Sequence, residues 1–217
     1  MIEAVVFDLD GVLIDTEELW DEARRQLAEE RGARWPDDAQ RVMMGMSSPE
    51  WSRYMHEVIG LAEPPEEISA QVVRRLEALY RERLPLLPGA LEAIGRIRAR
   101  WPLGIASSSN RPLIDLFLGL TGTREDFRAT VSSEEVERGK PAPDVYLEAA
   151  RRLGVDPARC AAIEDSENGI RSASSAGMPV VTIPNHVFPP SREAQSLAEA
   201  VLGSLDELTP EVVESLE

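Results

Sequence analysis

The chain opens on an apolar run, Ile2 and Ala4 to Phe7, with no polar side chain alternating through Ala4 to Phe7. That pattern predicts a strand buried on both faces of a parallel sheet. The period then changes. Leu19, Trp20, Ala23, Leu27 and Ala28 recur at helical spacing as far as Gly32, with Asp15 expected as N-cap and Glu18 as its capping-box partner. Helical patterning continues over Asp38 to Met44, Pro49 to Ile59 and Glu66 to Leu84, interrupted by Gly45-Met46-Ser47-Ser48 and by Gly60 to Pro65. This block holds no parallel-strand run, so it reads as an all-helical insertion over residues 16–86.

Beyond Gly89 the pattern alternates between the two periods. Helices are expected at Leu91 to Arg100, Pro112 to Leu118, Asp144 to Leu153 and Asn168 to Ala176, and strands at Leu103 to Ala106, Ala129 to Val131, Cys160 to Ile163 and Pro179 to Ile183. Two acidic helices, Ser191 to Leu202 and Glu211 to Leu216, are expected to close the chain. Alternation of this kind predicts an α/β fold with a doubly wound, mainly parallel sheet, built from residues 1–15 and 87–217.

Composition narrows the partners. A chain of 217 residues can bury a sizeable core without disulfides, and its single cysteine, Cys160, is expected as a core filler in a reducing compartment. A net charge of −16 argues against nucleic acid and anionic membranes, which need clustered cations. With no basic leader or long apolar stretch, residence in the cytoplasm is the default expectation, as a monomer or weak dimer. His56 and His186 lack metal-like spacing and read as surface or packing residues. Of the 23 basic residues every one is arginine except Lys140, which marks a position that calls for a compact ammonium.

Four short segments carry the chemistry. Asp8 and Asp10 end the first strand on one face, with Cα atoms about 7 Å apart, and Gly11 lets the backbone turn behind them. Ser107-Ser108-Ser109-Asn110 follows the next strand and leads into a helix, where hydroxyls and free N–H groups make an anion site. Lys140 lies in Gly139-Lys140-Pro141-Ala142-Pro143-Asp144. Glu164 and Asp165 end another strand, and adjacent carboxylates there suit a hard cation such as Mg²⁺.

The string FDLDGVLIDTE resembles the first motif of the haloacid dehalogenase-like hydrolases, and the other three segments resemble that family's second, third and fourth motifs in order. The resemblance implies a Rossmann-like core with a mobile helical cap of the C1 kind, hinged near Ile14 to Thr16 and Leu86 to Gly89. It implies Asp8 as nucleophile and Asp10 as acid/base. Ser107, Ser108, Asn110 and Lys140 would bind phosphate. Asp8, the Asp10 carbonyl and Asp165 would hold Mg²⁺, with Glu164 as a ligand through water or behind the others.

The implied activity is Mg²⁺-dependent hydrolysis of a small phosphorylated metabolite through an aspartyl-phosphate, with Glu17, Trp20, Ser47, Ser48 and Trp51 as candidate substrate contacts from the cap. Trp20 and Trp51 fit equally well as cap core. The segment DTEELWDEA is similar to the opening of sugar-phosphate phosphatases that act on 2-deoxyglucose-6-phosphate and hexitol phosphates. The similar β-phosphoglucomutases carry histidine where Trp20 stands, which favours hydrolysis over a mutase. A signalling protein that merely accepts phosphate on aspartate is the reading from another class.

Overall fold

The computed structural model describes residues 1–43, 46–185 and 189–216. The end of the second expected helix at Met44, the linker residue Gly45 and the expected packing residue His186 lie outside the described residues.

Six parallel strands form one sheet, β1 (Ala4–Phe7), β2 (Leu103–Ser107), β3 (Phe127–Ser132), β4 (Cys160–Glu164), β5 (Val180–Thr182) and β6 (Ala200–Val201), in the order β3-β2-β1-β4-β5-β6. The chain moves outward from β1 in one direction to β3, then returns to place β4 on its other flank. That reversal opens a crevice at the carboxyl ends of β1, β2 and β4.

Strand pleating sends Val5 and Phe7 to one buried face and Ala4 and Val6 to the other. The first face is covered by α5 (Ala90–Arg98) and α6 (Arg111–Thr121) through Ile94, Ile97, Leu113 and Phe117. The second is covered by α7 (Asp144–Leu153) and α8 (Glu167–Ser175) through Val145, Ala149, Ile170 and Ala173. Phe7, one residue before Asp8, meets Phe127 edge to face at 6.4 Å. Truncating such a buried ring costs about 3–5 kcal/mol, so the first chemical residue stands on a rigid base. Cys160 is buried in β4, paired in register with Ala4, as a core filler should be.

The helical insertion comprises α1 (Glu17–Glu30), α2 (Ala39–Met43), α3 (Ser48–Tyr54) and α4 (Pro65–Glu82), with α3 running on into a π-helical turn at Met55–Ile59. Its entry and exit segments pair with each other. Asp15 N donates to Pro85 O at 2.8 Å and Leu87 N to Leu13 O at 3.0 Å, a short antiparallel ribbon around Ile14 and Leu86. His56 is half-buried with Nδ1 2.8 Å from Leu61 O, a packing role as expected.

Two local expectations fail. Thr16, not Asp15, occupies the N-cap position of α1, and its hydroxyl turns away to Asp10 while Asp15 and Glu18 stay exposed. The helix expected over Ser191 to Leu202 shrinks to α9 (Arg192–Gln195), because β5 offers an open edge: Glu199 N donates to Val180 O and Leu202 N to Thr182 O, making β6. Tertiary pairing overrides the helical pattern there. The chain closes with α10 (Pro210–Glu214).

Candidate active site

Asp8 leaves the end of β1 with its backbone still tied to the sheet, N to Ile163 O at 2.9 Å, so its carboxylate has one place to go. It is 6% exposed. Lys140 Nζ lies 2.9 Å from Asp8 Oδ1 and 2.6 Å from Glu164 Oε1, and the lysine side chain is buried between them. Tyr146, delivered by α7, donates to the same Glu164 oxygen at 2.7 Å. The other oxygen of Glu164 accepts from Asp165 N at 3.1 Å and from Ser166 Oγ at 3.2 Å. Gly169 makes room for this carboxylate, since a Cβ there would run into it.

Burial pushes the Asp8 carboxyl up to about 7, with Lys140 opposing and Glu164 and Asp10 adding to the rise. Asp165 is pushed well above the usual carboxylate range, by burial first and then by Glu164 and Asp8. Burial works against the charge on Lys140, but Asp8 and Glu164 overcome it and hold the ammonium above its ordinary value. Oxygens of Asp8, Glu164 and Asp165 lie within 4.8 Å of one another. Three carboxyl groups crowd round one ammonium in a buried place, more negative charge than Lys140 alone balances once all three ionise.

Asp8 Oδ1 faces Lys140 without hydrogen-bond alignment, and Asp165 Oδ1 has no hydrogen-bond partner. An all-oxygen donor set with that charge and those open oxygens fits a divalent cation. Gly11, at φ 84°, permits the close approach of the Asp165 carboxylate, which any Cβ would block.

Asp10 is held differently. Its Oδ1 accepts from Thr16 Oγ1 at 2.5 Å and its Oδ2 from Ser109 Oγ at 2.6 Å, with Ser107 Oγ further off at 3.4 Å. Ser107 also accepts from Ser109 N at 3.0 Å, which fixes the loop after β2. Asp10 therefore sits in a collar of hydroxyls, its side chain apart from the carboxylate cluster.

A sequence profile of the haloacid dehalogenase-like hydrolases matches residues 2–177, which takes in the four motif segments and the whole insertion. The chain belongs to that family. Within it, hexitol phosphatase B of Escherichia coli is 34% identical over 96% of this chain and 95% of its own length. A Drosophila melanogaster protein named probable pseudouridine-5'-phosphatase is 37% identical over 95% of this chain and 91% of its own. The crystal structure of CbbY from Rhodobacter sphaeroides in complex with phosphate superposes with a TM-score of 0.88 at 30% identity, covering 99% of this chain and all of that one. This haloacid dehalogenase-like hydrolase is a phosphatase, a phosphoric monoester hydrolase acting on small phosphate esters.

A cavity of about 150 Å³ opens between the carboxyl ends of the strands and the helical insertion. The core contributes Asp8, Asp10, Asp165, Ser108 and Ser109 to its walls, and the insertion contributes Glu17, Trp20, Ser48 and Trp51. Of the other expected residues, Lys140 and Glu164 are not part of the wall, and three more lie elsewhere. Ser107 is fully buried behind Asp10, and Ser47 donates to Glu50 at 2.6 Å to cap α3. Asn110 spans the seam between insertion and core, accepting from Ser48 Oγ at 3.0 Å and donating to Glu134 at 2.6 Å.

Sequence reasoning passed over Thr16, Ser109, Tyr146 and Arg24. Thr16 and Ser109 stand inside motif strings already singled out, but nothing in the strings tells which hydroxyl reaches Asp10. Arg24 did leave a signal, four residues after Trp20 and three before Leu27 on the stripe that α1 buries.

Proposed function

We propose that the chain hydrolyses a small phosphate monoester, a sugar phosphate or similar metabolite, with Mg²⁺ and through an aspartyl-phosphate on Asp8. The observation that carries this reading is the Asp8 carboxylate at the mouth of the sheet, with Lys140 Nζ 2.9 Å away and Asp165 beside it. Asp8, Asp165 and the backbone carbonyl of Asp10 are the residues to hold the metal, and Glu164 stands behind them as the partner of Lys140. Bound there, Mg²⁺ supplies charge neutralisation to the transferring phosphoryl group.

In the first step an Asp8 oxygen bonds to phosphorus while the ester P–O bond breaks, and Asp10 gives its proton to the departing alkoxide. In the second, Asp10 takes a proton from water as that water's oxygen bonds to phosphorus and the bond to Asp8 breaks. The Thr16 and Ser109 hydroxyls position Asp10 for both transfers. Lys140 keeps Asp8 from repelling the anionic phosphoryl group, and Ser108 and Ser109 line the space that group enters.

The insertion, residues 16–86, acts as a cap that turns on the paired linkers at Ile14 and Leu86, with the Ser48 to Asn110 contact as its seat on the core. Closure excludes bulk water and places Trp20 and Trp51 against the leaving group. A hexitol phosphatase among the relatives, together with Trp20 in the cavity wall, supports hydrolysis of sugar phosphates. The test is release of inorganic phosphate from p-nitrophenyl phosphate and a panel of sugar phosphates. It should require Mg²⁺ and vanish in Asp8→Asn, whose fold should persist by circular dichroism. Turnover by clean Asp8→Asn at the native rate would reject the assignment, and a phosphoprotein stable for hours would favour the signalling reading.

A further inference from the structure

Arg24 is the one cationic side chain among the described residues that line the cavity. It is 7% exposed, and its guanidinium carbon lies 4.8 Å from the centre of the Trp20 ring and 5.0 Å from that of Trp51. No hydrogen bond or ion pair from a described residue reaches it, and its Nε is buried without a partner. A largely buried guanidinium whose Nε has no acceptor among the described residues is an incomplete arrangement. Glu17 and Asp21 favour its charge from a distance without forming an ion pair, and Glu17 is held by Gln40, whose amide donates to the Glu17 carbonyl at 3.0 Å and to its carboxylate at 3.3 Å.

From this geometry we infer that Arg24 sets substrate specificity by binding a second anionic group, a carboxylate or a further phosphate, at the end of the substrate remote from the scissile ester. The inference rests on the phosphatase reading above and names the substrate class for that same site. A planar fork suits paired anionic oxygens, and low dielectric strengthens the contact. A neutral polyol would leave the guanidinium with no anion in direct contact, only the more distant charges of Glu17 and Asp21. A planar base would compete with Arg24 for the indole rings it already lies against. At about 150 Å³ the cavity is below the 300–1,000 Å³ of ordinary ligand pockets, which favours a substrate with a short carbon skeleton.

Three esters on one skeleton test this with the purified full chain and Mg²⁺: glycerol 3-phosphate, 3-phosphoglycerate and glycerol 1,3-bisphosphate. They differ only in carrying hydroxymethyl, carboxylate or phosphate at the far carbon, so they also separate the two anion sources. At least one anionic member should exceed the neutral one in kcat/KM by about tenfold or more, the scale of a hydrogen bond to a charged group. Arg24→Gln should remove that ratio chiefly through KM, and Arg24→Lys should keep part of it.

Equal or better use of the neutral ester by the native enzyme overturns the inference without any variant, so the result stands even where Arg24→Gln fails to fold. An equal loss on all three esters in Arg24→Gln overturns it in favour of a packing role. Hydrolysis of p-nitrophenyl phosphate is run alongside. Its absence, with no phosphate released from any ester, rejects the phosphatase reading and this inference together, a result unlike that of an active enzyme indifferent to the second charge.

Discussion

Replacing Lys140 by methionine removes one charge from a place where three were balanced against each other. The lysine side chain is 4% exposed, and those of its partners Asp8 and Glu164 are 9% and 0% exposed. Breaking a buried pair by deleting one partner costs about 3–5 kcal/mol, because the remaining charges are neither solvated nor paired. For a chain of this size each kcal/mol moves the melting temperature by about 2–4 °C, so Lys140→Met should melt about 6–20 °C lower. Urea and thermal unfolding in EDTA at pH 7.5 read this directly.

The decisive variant is the double one. Glu164 is then left with Tyr146, Asp165 N and Ser166 as partners, all of which a neutral amide can keep in part. Adding Glu164→Gln to Lys140→Met should therefore recover about 2 kcal/mol or more, a coupling within the range that double-mutant cycles find for groups in contact. Strict additivity of the two losses, or a Lys140→Met variant within about 1 kcal/mol of the native chain, would refute the account of a lysine that neutralises the site.

Three further outcomes follow from the same geometry. Asp8 and Asp165 hold their protons to higher pH in the fold than in an unfolded chain, so without metal the site favours folding less as pH rises toward and past about 7. Mg²⁺ competes with those protons, and its upward shift of the melting temperature should be larger at pH 8 than at pH 5.5; equal shifts would count against the carboxylate cluster as the metal site. Gly169→Ala drives a Cβ into the Glu164 carboxylate and should cost about 1–3 kcal/mol by urea unfolding, together with a fall in Mg²⁺ affinity that an exposed helix glycine such as Gly95 would not show. Ser48→Ala deletes the 3.0 Å contact with Asn110 and should raise KM about fivefold or more, the effect of losing about 1 kcal/mol of cap seating, while melting stays near native.

Much of this was readable in the sequence because the core elements are strongly patterned. The apolar runs at Ala4 to Phe7 and Cys160 to Ile163 admit only buried strands, and each ends on carboxylates that the sheet brings together. Lys140 was marked by being the single lysine in an arginine-rich chain. The failures have a different origin. The helix expected to Leu202 became strand β6 because β5 had a free edge, which is a property of the partner and not of the segment. Ser107, the phosphate contact that the family resemblance implies, is buried under Asp10, while Ser108 and Ser109 line the cavity, an arrangement that depends on strand pleating. Asn110, which the resemblance gives as a phosphate residue, also accepts from Ser48 of the insertion, a contact that depends on how the insertion docks and that no local string records. Arg24 escaped notice because an arginine on a charged helix reads as solvated until the packing of two tryptophans around it is seen.

The scarcity of lysine gives the molecule a built-in reporter. Since Lys140 is the chain's one lysine and lies against Asp8 and Glu164, a sample grown with nitrogen-15 lysine carries a single labelled side-chain nitrogen, placed at the reacting centre. Its enclosure should slow proton exchange with water enough for the ammonium to give an observable resonance. One peak would then follow metal loading, phosphate occupancy and the state of Asp8 without assignment of any other signal.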